Sequence, residues 1–186
     1  MKKLSLLVSA LIISGISLKA QIFSMKETMV SFYSATPMEN IEAKNKSVEG
    51  ALRASDNLVK IKVHNIGFVF EKPLTQEHFH ENYMETVKFP HAEFKGNFAE
   101  KVDWTKDGET AVTVKGKLKM HGVEKDVEIK GKIIIAGGKP SLDAKFKVKV
   151  SDYGIKVPSM VVANIAEVVD VSISAKLEPL AVTPKK

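Results

Sequence analysis

The sequence predicts an all-β protein in which eight antiparallel strands, with one short helical insertion, close into a barrel. The main observation is a period of two. From Ala111 onward, apolar residues alternate with lysines and other polar residues, as in strands with one buried face. This one-sided pattern is typical of antiparallel sheets. The second observation is that too little helix is predicted to cover an open sheet, so the apolar faces are expected to bury each other by closure.

Four strands are predicted in the second half of the chain, over residues 111–120, 127–135, 142–150 and 169–177. Two reversals between them contain glycine, Gly122 in one and Gly137-Gly138 in the other, which suits turns that need positive φ. In the first half we predict strands at residues 28–35, 40–53, 58–65 and 92–98. The alternation shifts by one residue near Asn65 and Gly67, which predicts a bulge there.

Two irregular stretches interrupt the strands and are expected to cover an end or a seam of the barrel. In the first, Pro73 begins a short helix with Thr75 as its predicted cap, and Phe79 and Tyr83 follow four residues apart on one face. The second covers residues 151–166. An eight-stranded barrel is wide enough either to be filled by its own side chains or to hold one small ligand. The pattern of residues leaves both options open.

The first twenty residues predict export. A basic start, an apolar run and a small residue at Ala20 form the pattern of a secretory signal peptide, too short and too interrupted to span a bilayer. We expect cleavage after Ala20, leaving one domain over residues 21–186 in the periplasm or the medium. Cysteine is absent from the sequence, which excludes disulfides and thiolate metal sites.

Composition argues against nucleic-acid binding. The formal charge is +6, and half of it belongs to three lysines of the signal peptide. The remaining lysines are spread over many segments instead of forming a basic stripe with interleaved aromatics.

No catalytic motif stands out. The polar cluster around His78, His80 and Glu81 suggests a metal or acid–base site, but zinc proteases need two histidines four residues apart. Motifs of serine hydrolases and phosphate-binding loops are missing. We predict no enzyme, cofactor or metal. A hydrolase or isomerase using His78 or His80 remains the less favoured alternative.

Three segments carry a resemblance to a known family. In residues 78–94, a predicted helix is followed by a lysine–aromatic–proline sequence and then by a strand. Residues 114–127 contain a histidine–glycine–valine hairpin, and residues 147–155 contain Asp152-Tyr153-Gly154-Ile155. In this order they resemble the YceI-like lipid- and polyisoprenoid-binding family. The resemblance implies a lipocalin-like barrel in the periplasm that encloses a long isoprenoid or other amphiphilic chain, without catalytic residues.

We therefore predict a protein that sequesters or carries an isoprenoid-like or fatty amphiphile, makes transient contact with a membrane and exists as a monomer or homodimer. A barrel filled by its own side chains, acting as a structural or interaction module, is the alternative. Ten residues are predicted to line the ligand site, chosen for the inward phase of their strands or for their place on the covers. They are Phe32, Val63, Phe68, Phe70, Phe79, Tyr83, Phe94, Phe146, Ile155 and Met160.

Overall fold

The computed structural model describes residues 21–157 and 164–180. These residues form ten strand segments: β1 (Ile22–Ala35), β2 (Asn40–Asn45), β3 (Val48–Arg53), β4 (Leu58–His64), β5 (Phe68–Phe70), β6 (His91–Asn97), β7 (Gly108–Met120), β8 (Val123–Ala136), β9 (Lys139–Lys149) and β10 (Val168–Pro179). One α-helix, α1 (Pro73–His78), lies between β5 and β6. No helix in the described ranges is long and apolar enough to cross a membrane.

The segments close into an antiparallel barrel of eight strands, which confirms the predicted fold class. Two of the eight are interrupted: β2 with β3 forms one, and β4 with β5 forms another. β1 pairs with both β2 and β3, and β10 pairs with β9 on one side and with β1 on the other, so the order of strands closes on itself.

The two interruptions lie side by side and one buried amide joins them. The Asn45 Nδ2 donates to the His64 carbonyl at 2.8 Å, and its Oδ1 accepts from the Ser47 backbone N–H at 2.7 Å. A Cβ on Gly67 would stand 2.6 Å from the Cβ of Ser47, so the approach requires glycine. At the place near Asn65 and Gly67 where a bulge was predicted, the structure has a 3₁₀ turn over Asn65–Gly67 that separates β4 from β5.

The helical insertion differs from the prediction at its start. Lys72, not Thr75, is the residue before the first turn, and Pro73 takes the first helical position, where its missing N–H costs nothing. After α1 the chain continues as a π-helical turn over Phe79–Tyr83, closed by a hydrogen bond of 2.8 Å from the Met84 N–H to the Phe79 carbonyl. We name residues 73–89 the helical cover.

The barrel has a closed end and an open end. At the closed end, buried side chains from most strands meet, and Phe23 stacks on Trp104 of the loop after β6 with ring centroids 4.7 Å apart. Leu52, Val59 and Ile133 are almost completely buried there. The helical cover lies across the other end. A second cover, residues 150–157 and 164–166, lies there too, and we name it the C-terminal cover.

The predicted signal peptide, residues 1–20, and Met160 lie outside the described residues.

Candidate functional site

A cavity of about 180 Å³ occupies the open end of the barrel, between the strands and the two covers, and is partly open to the outside. Its walls come from the C-terminal half of β1, the start of β2, the ends of β4, β7 and β9, the whole of β5, and the starts of β6 and β10. These are neighbouring positions in the closed sheet because antiparallel strands alternate in direction. The cavity is thus confined to the open end and does not extend through the barrel.

The walls of the cavity are almost wholly apolar, and no charged side chain is among the described residues that line it. Four polar residues are among the lining, and two of them, Ser34 and Asn65, form side-chain hydrogen bonds within the protein, although the Asn65 Oδ1 is buried without a partner. The Ser34 hydroxyl oxygen accepts from the Ala166 N–H at 2.9 Å, and the Asn65 Nδ2 donates to the Phe89 carbonyl at 2.7 Å. Such a surface can bury a hydrocarbon by the hydrophobic effect, whereas a charge buried there would find no charged partner among the described lining residues.

Four phenylalanines form the aromatic centre of the cavity wall. Phe79 of the helical cover lies 5.6 Å from Phe32, 5.4 Å from Phe68 and 5.0 Å from Phe70, measured between ring centroids. Edge-to-face and offset pairs at these distances are each worth about 0.5–1.5 kcal/mol beyond the buried area. Phe79 therefore fixes the helical cover against β1 and β5.

Seven of the ten predicted site residues meet around the cavity. They are Phe32, Val63, Phe68, Phe70, Phe79, Tyr83 and Ile155. Burial raises the pKa of the Tyr83 hydroxyl, which keeps this side chain neutral at the cavity wall.

Phe94 and Phe146 are not among the residues that line the cavity. Phe94 is buried, but its ring leans along β6 toward the closed end, where its Cζ would stand 2.8 Å from a Cβ on Gly96. Phe146 is half-buried just beyond Lys145, the last residue of β9 that pairs with β8. It therefore lies where these two strands part.

Other lining residues were missed by the sequence prediction. Val30, Val148, Val169 and Val171 share the inward phase of their strands, and that phase alone would have placed them on the inner wall. Met84 and Ile165 follow from no pattern, because they reach the cavity through the folding of the covers.

A polar clasp joins the two covers to the turn between β1 and β2. One carboxylate oxygen of Glu39 accepts from the Lys72 Nζ at 2.6 Å, and the other accepts from the Asn164 Nδ2 at 3.3 Å. The hydrogen bond from Lys72, followed by that from Asn164, holds the pKa of Glu39 below its ordinary value. Glu39 thus contacts the residue that precedes α1 and the C-terminal cover at once.

A second polar contact joins the covers at the opposite side of the opening. His121, at the β7–β8 turn, has its Nδ1 3.0 Å from the Tyr153 carbonyl and its Nε2 2.9 Å from a carboxylate oxygen of Glu85. Its ring also packs 4.3 Å from that of Phe89. His121 is therefore a structural link between the covers, in addition to occupying the turn.

The histidine cluster of the helical cover does not assemble a metal site. His78, Glu77 and Glu81 are exposed, while the His80 ring packs edge-on against Phe79 at 5.4 Å. Within residues 21–157 and 164–180, no three histidine, aspartate or glutamate side chains are close enough to hold a metal ion.

Comparison with known proteins identifies the family. The model of the YceI-like domain matches residues 20–177, most of the chain. The chain belongs to the YceI-like family. No curated protein is similar enough in sequence to count as a relative.

Solved structures of YceI-like and related domains share the fold. A polyisoprenoid binding domain from Saccharophagus degradans, implicated in plant cell wall breakdown, is 12% identical, with a TM-score of 0.72 over 85% of this chain and 98% of that one. BcnA of Burkholderia cenocepacia is 15% identical, with a TM-score of 0.68 over 80% and 95%. The YceI protein of Campylobacter jejuni is 14% identical, with a TM-score of 0.53 over 97% and 94%. At these identities the likeness concerns the fold alone.

Proposed function

We propose that this YceI-like protein is an exported lipid-binding protein, not an enzyme, which holds the hydrocarbon chain of an isoprenoid-like or fatty amphiphile in the cavity. The observation that carries the proposal is the apolar cavity between barrel and covers, whose lining within residues 21–157 and 164–180 contains no charged side chain. The family supports it, since a structural neighbour is itself a polyisoprenoid binding domain.

The shape of the cavity sets how the ligand lies. The closed end is filled by Phe23, Trp104 and the buried side chains around them, so a chain that enters at the open end stops within the barrel. Because no charged side chain is among the described residues that line the cavity, a charged head of the ligand remains at the opening. The barrel is thus filled in one half and able to take a ligand in the other.

Binding of retinol, a fluorescent isoprenoid alcohol, tests this proposal. The Ala92→Phe substitution adds an aromatic ring to the cavity wall, while Ala35→Phe adds the same ring at an exposed position at the end of β1. We expect saturable binding by the wild-type protein and by Ala35→Phe, and a loss of about tenfold or more in affinity for Ala92→Phe. Equal affinities for all three proteins would show that retinol does not occupy the cavity.

We also propose that the protein acts in the periplasm, on the basis of the signal sequence at residues 1–20. Fractionation of cells followed by N-terminal sequencing tests this, with Gln21 expected as the first residue of the exported protein. A cell-associated protein that retains residues 1–20 and stays in the cytoplasm would contradict it.

A further inference from the structure

We infer that the open end of the barrel is a docking face for a lipid bilayer, by which apolar side chains around the cavity mouth enter the membrane surface. The inference rests on the proposed function in that the ligand is a membrane amphiphile. Beyond the proposed function, the inference names the surface through which the ligand would be exchanged with the membrane and the residues that form this surface. We name Tyr33, Met38, Ile66, Val69, Leu74, Val87 and Val168 the rim set.

The rim set contains all but one of the large apolar residues that are exposed in the part of the chain that the structure describes. Val87 is 99% exposed, Met38 72% and Ile66 67%. The remaining one, Leu180, lies at the closed end, where its N–H donates to the Ile22 carbonyl at the start of β1. Scattered exposed apolar residues are normal on a protein surface, but their collection at one end indicates an interaction site.

The outer barrel wall at this end carries exposed apolar side chains among charged neighbours, since Tyr33 is the register partner of Glu42 and Asp170, and Val69 that of Lys44. Phe32 and Ser34 line the cavity and Tyr33 between them is exposed; likewise, Phe68 and Phe70 line the cavity and Val69 between them is exposed. Farther toward the closed end, the outward positions carry charge, as with the paired Lys60 and Lys95 of β4 and β6. An antiparallel sheet with one face in water normally alternates apolar and polar residues. Tyr33 and Val69 depart from that alternation at the open end, where each places an apolar side chain on the outer face.

The arrangement of the rim set favours a bilayer over a folded partner. Following the sheet order, it runs from β10 through β1 and the β1–β2 turn to β5, then to the chain before β6, so it surrounds much of the opening instead of forming one flat patch. Side chains spread around an opening can all enter a deformable membrane interface. The mouth of a cavity that accepts a hydrocarbon would then face the phase in which hydrocarbon chains are found.

Charges near the rim predict that apolar insertion drives docking. Lys72 is paired with Glu39 at 2.6 Å, and Lys88 with Glu85 at 3.7 Å, so these lysines are neutralised by neighbours within the same end. Binding should therefore occur on vesicles of zwitterionic phosphatidylcholine and should change little with ionic strength, unlike the attraction of a basic patch to anionic lipids.

Flotation with phosphatidylcholine vesicles tests the inference. The triple substitution Ile66→Asp, Leu74→Asp and Val87→Asp changes three exposed side chains and should leave the core intact. The matched control is Leu180→Asp at the closed end. We expect the triple variant to lose about tenfold or more in vesicle affinity and the control to bind as the wild type does. Absence of wild-type binding, or equal loss in the control, would overturn the inference.

Three further measurements separate the remaining outcomes. The only tryptophan, Trp104, lies at the closed end, so brominated phosphatidylcholine should leave its fluorescence unchanged but should quench a tryptophan introduced by Leu74→Trp. Retinol binding in the absence of vesicles should persist in the triple variant, so failure to dock is distinguishable from failure to bind lipid.

Sedimentation tests whether the rim set instead contacts a second copy of the chain. If the wild-type protein is a dimer and the triple variant is a monomer, the membrane inference is wrong.

Discussion

Phe79 of the helical cover stacks on Phe32 of β1, with ring centroids 5.6 Å apart and ring planes inclined by 28°. This contact joins a segment that covers the barrel to the inner face of the barrel itself. Both rings also line the cavity, so the residues that hold the cover in place form part of the proposed binding surface. Stability of the cover and ligand binding should therefore change together.

Replacing Phe79 by alanine should loosen the helical cover and enlarge the cavity. Phe79 is only partly buried, so we expect a cost in unfolding free energy below the roughly 3–5 kcal/mol of a fully buried phenylalanine. Chemical denaturation measures that cost, and hydrogen exchange should show faster exchange in residues 73–89. Faster exchange confined to β7 and β8 would contradict the role assigned to Phe79.

The Glu39 clasp predicts that acid opens the covers. Because the folded state lowers the pKa of Glu39, the pair with Lys72 stabilises the fold above the ordinary glutamate pKa of about 4.3, and that contribution is lost as pH falls through the lowered value. Glu39→Gln should mimic the acid state and speed exchange at residues 164–166. The control is Glu42→Gln, whose partner Lys44 is an exposed neighbour on the same strand. Equal effects of both substitutions would contradict the clasp.

Gly116→Ala should destabilise the barrel where β6 meets β7. Gly96 and Gly116 are register partners, and a Cβ on Gly116 would stand 2.3 Å from the Lys95 carbonyl oxygen and 2.5 Å from the Gly96 Cα. Both are backbone atoms, so the strands would have to move apart. We expect a loss of about 1–3 kcal/mol in unfolding free energy, measured by urea denaturation. An unchanged midpoint would show that the two strands can separate freely.

His121→Asn should weaken the second link between the covers without disturbing the turn. His121 has a φ of 52°, a conformation that asparagine also tolerates. The shorter side chain cannot reach Glu85 and the Tyr153 carbonyl together, so hydrogen exchange at residues 150–155 should become faster. Protection equal to that of the wild type would show that these segments hold their positions without the histidine.

Much of the fold could be predicted because the physical signal is local. Alternation of inward apolar and outward polar residues places β7 to β10, and a closed barrel follows from the lack of covering helix. The interruption of two strands was harder to predict. It depends on the hydrogen bonds of the Asn45 side chain to the His64 carbonyl and to the Ser47 N–H, where the two strands are interrupted. In the sequence, only the phase shift near Asn65 indicated that a strand is interrupted.

The candidate site could be predicted in part, and for a similar reason. Inward phase identifies Val63 and Phe68, but it does not say toward which end a side chain leans, which is why Phe94 was placed wrongly at the cavity. Contacts of the covers are set by tertiary packing, so Met84 and Ile165 have no signature in the sequence. The exposed residues of the rim set were likewise visible only once the open end was known.

The most direct test of the central claim is mass spectrometry of lipids extracted from the protein after purification, without detergent, from the periplasm, where we propose that it acts. If the cavity holds a hydrocarbon chain, we expect one long-chain amphiphile at about one molecule per protein from the wild type and a strongly reduced amount from Ala92→Phe. A folded wild-type protein that yields no lipid, while its Ala92→Phe variant is equally stable and equally empty, would contradict the claim.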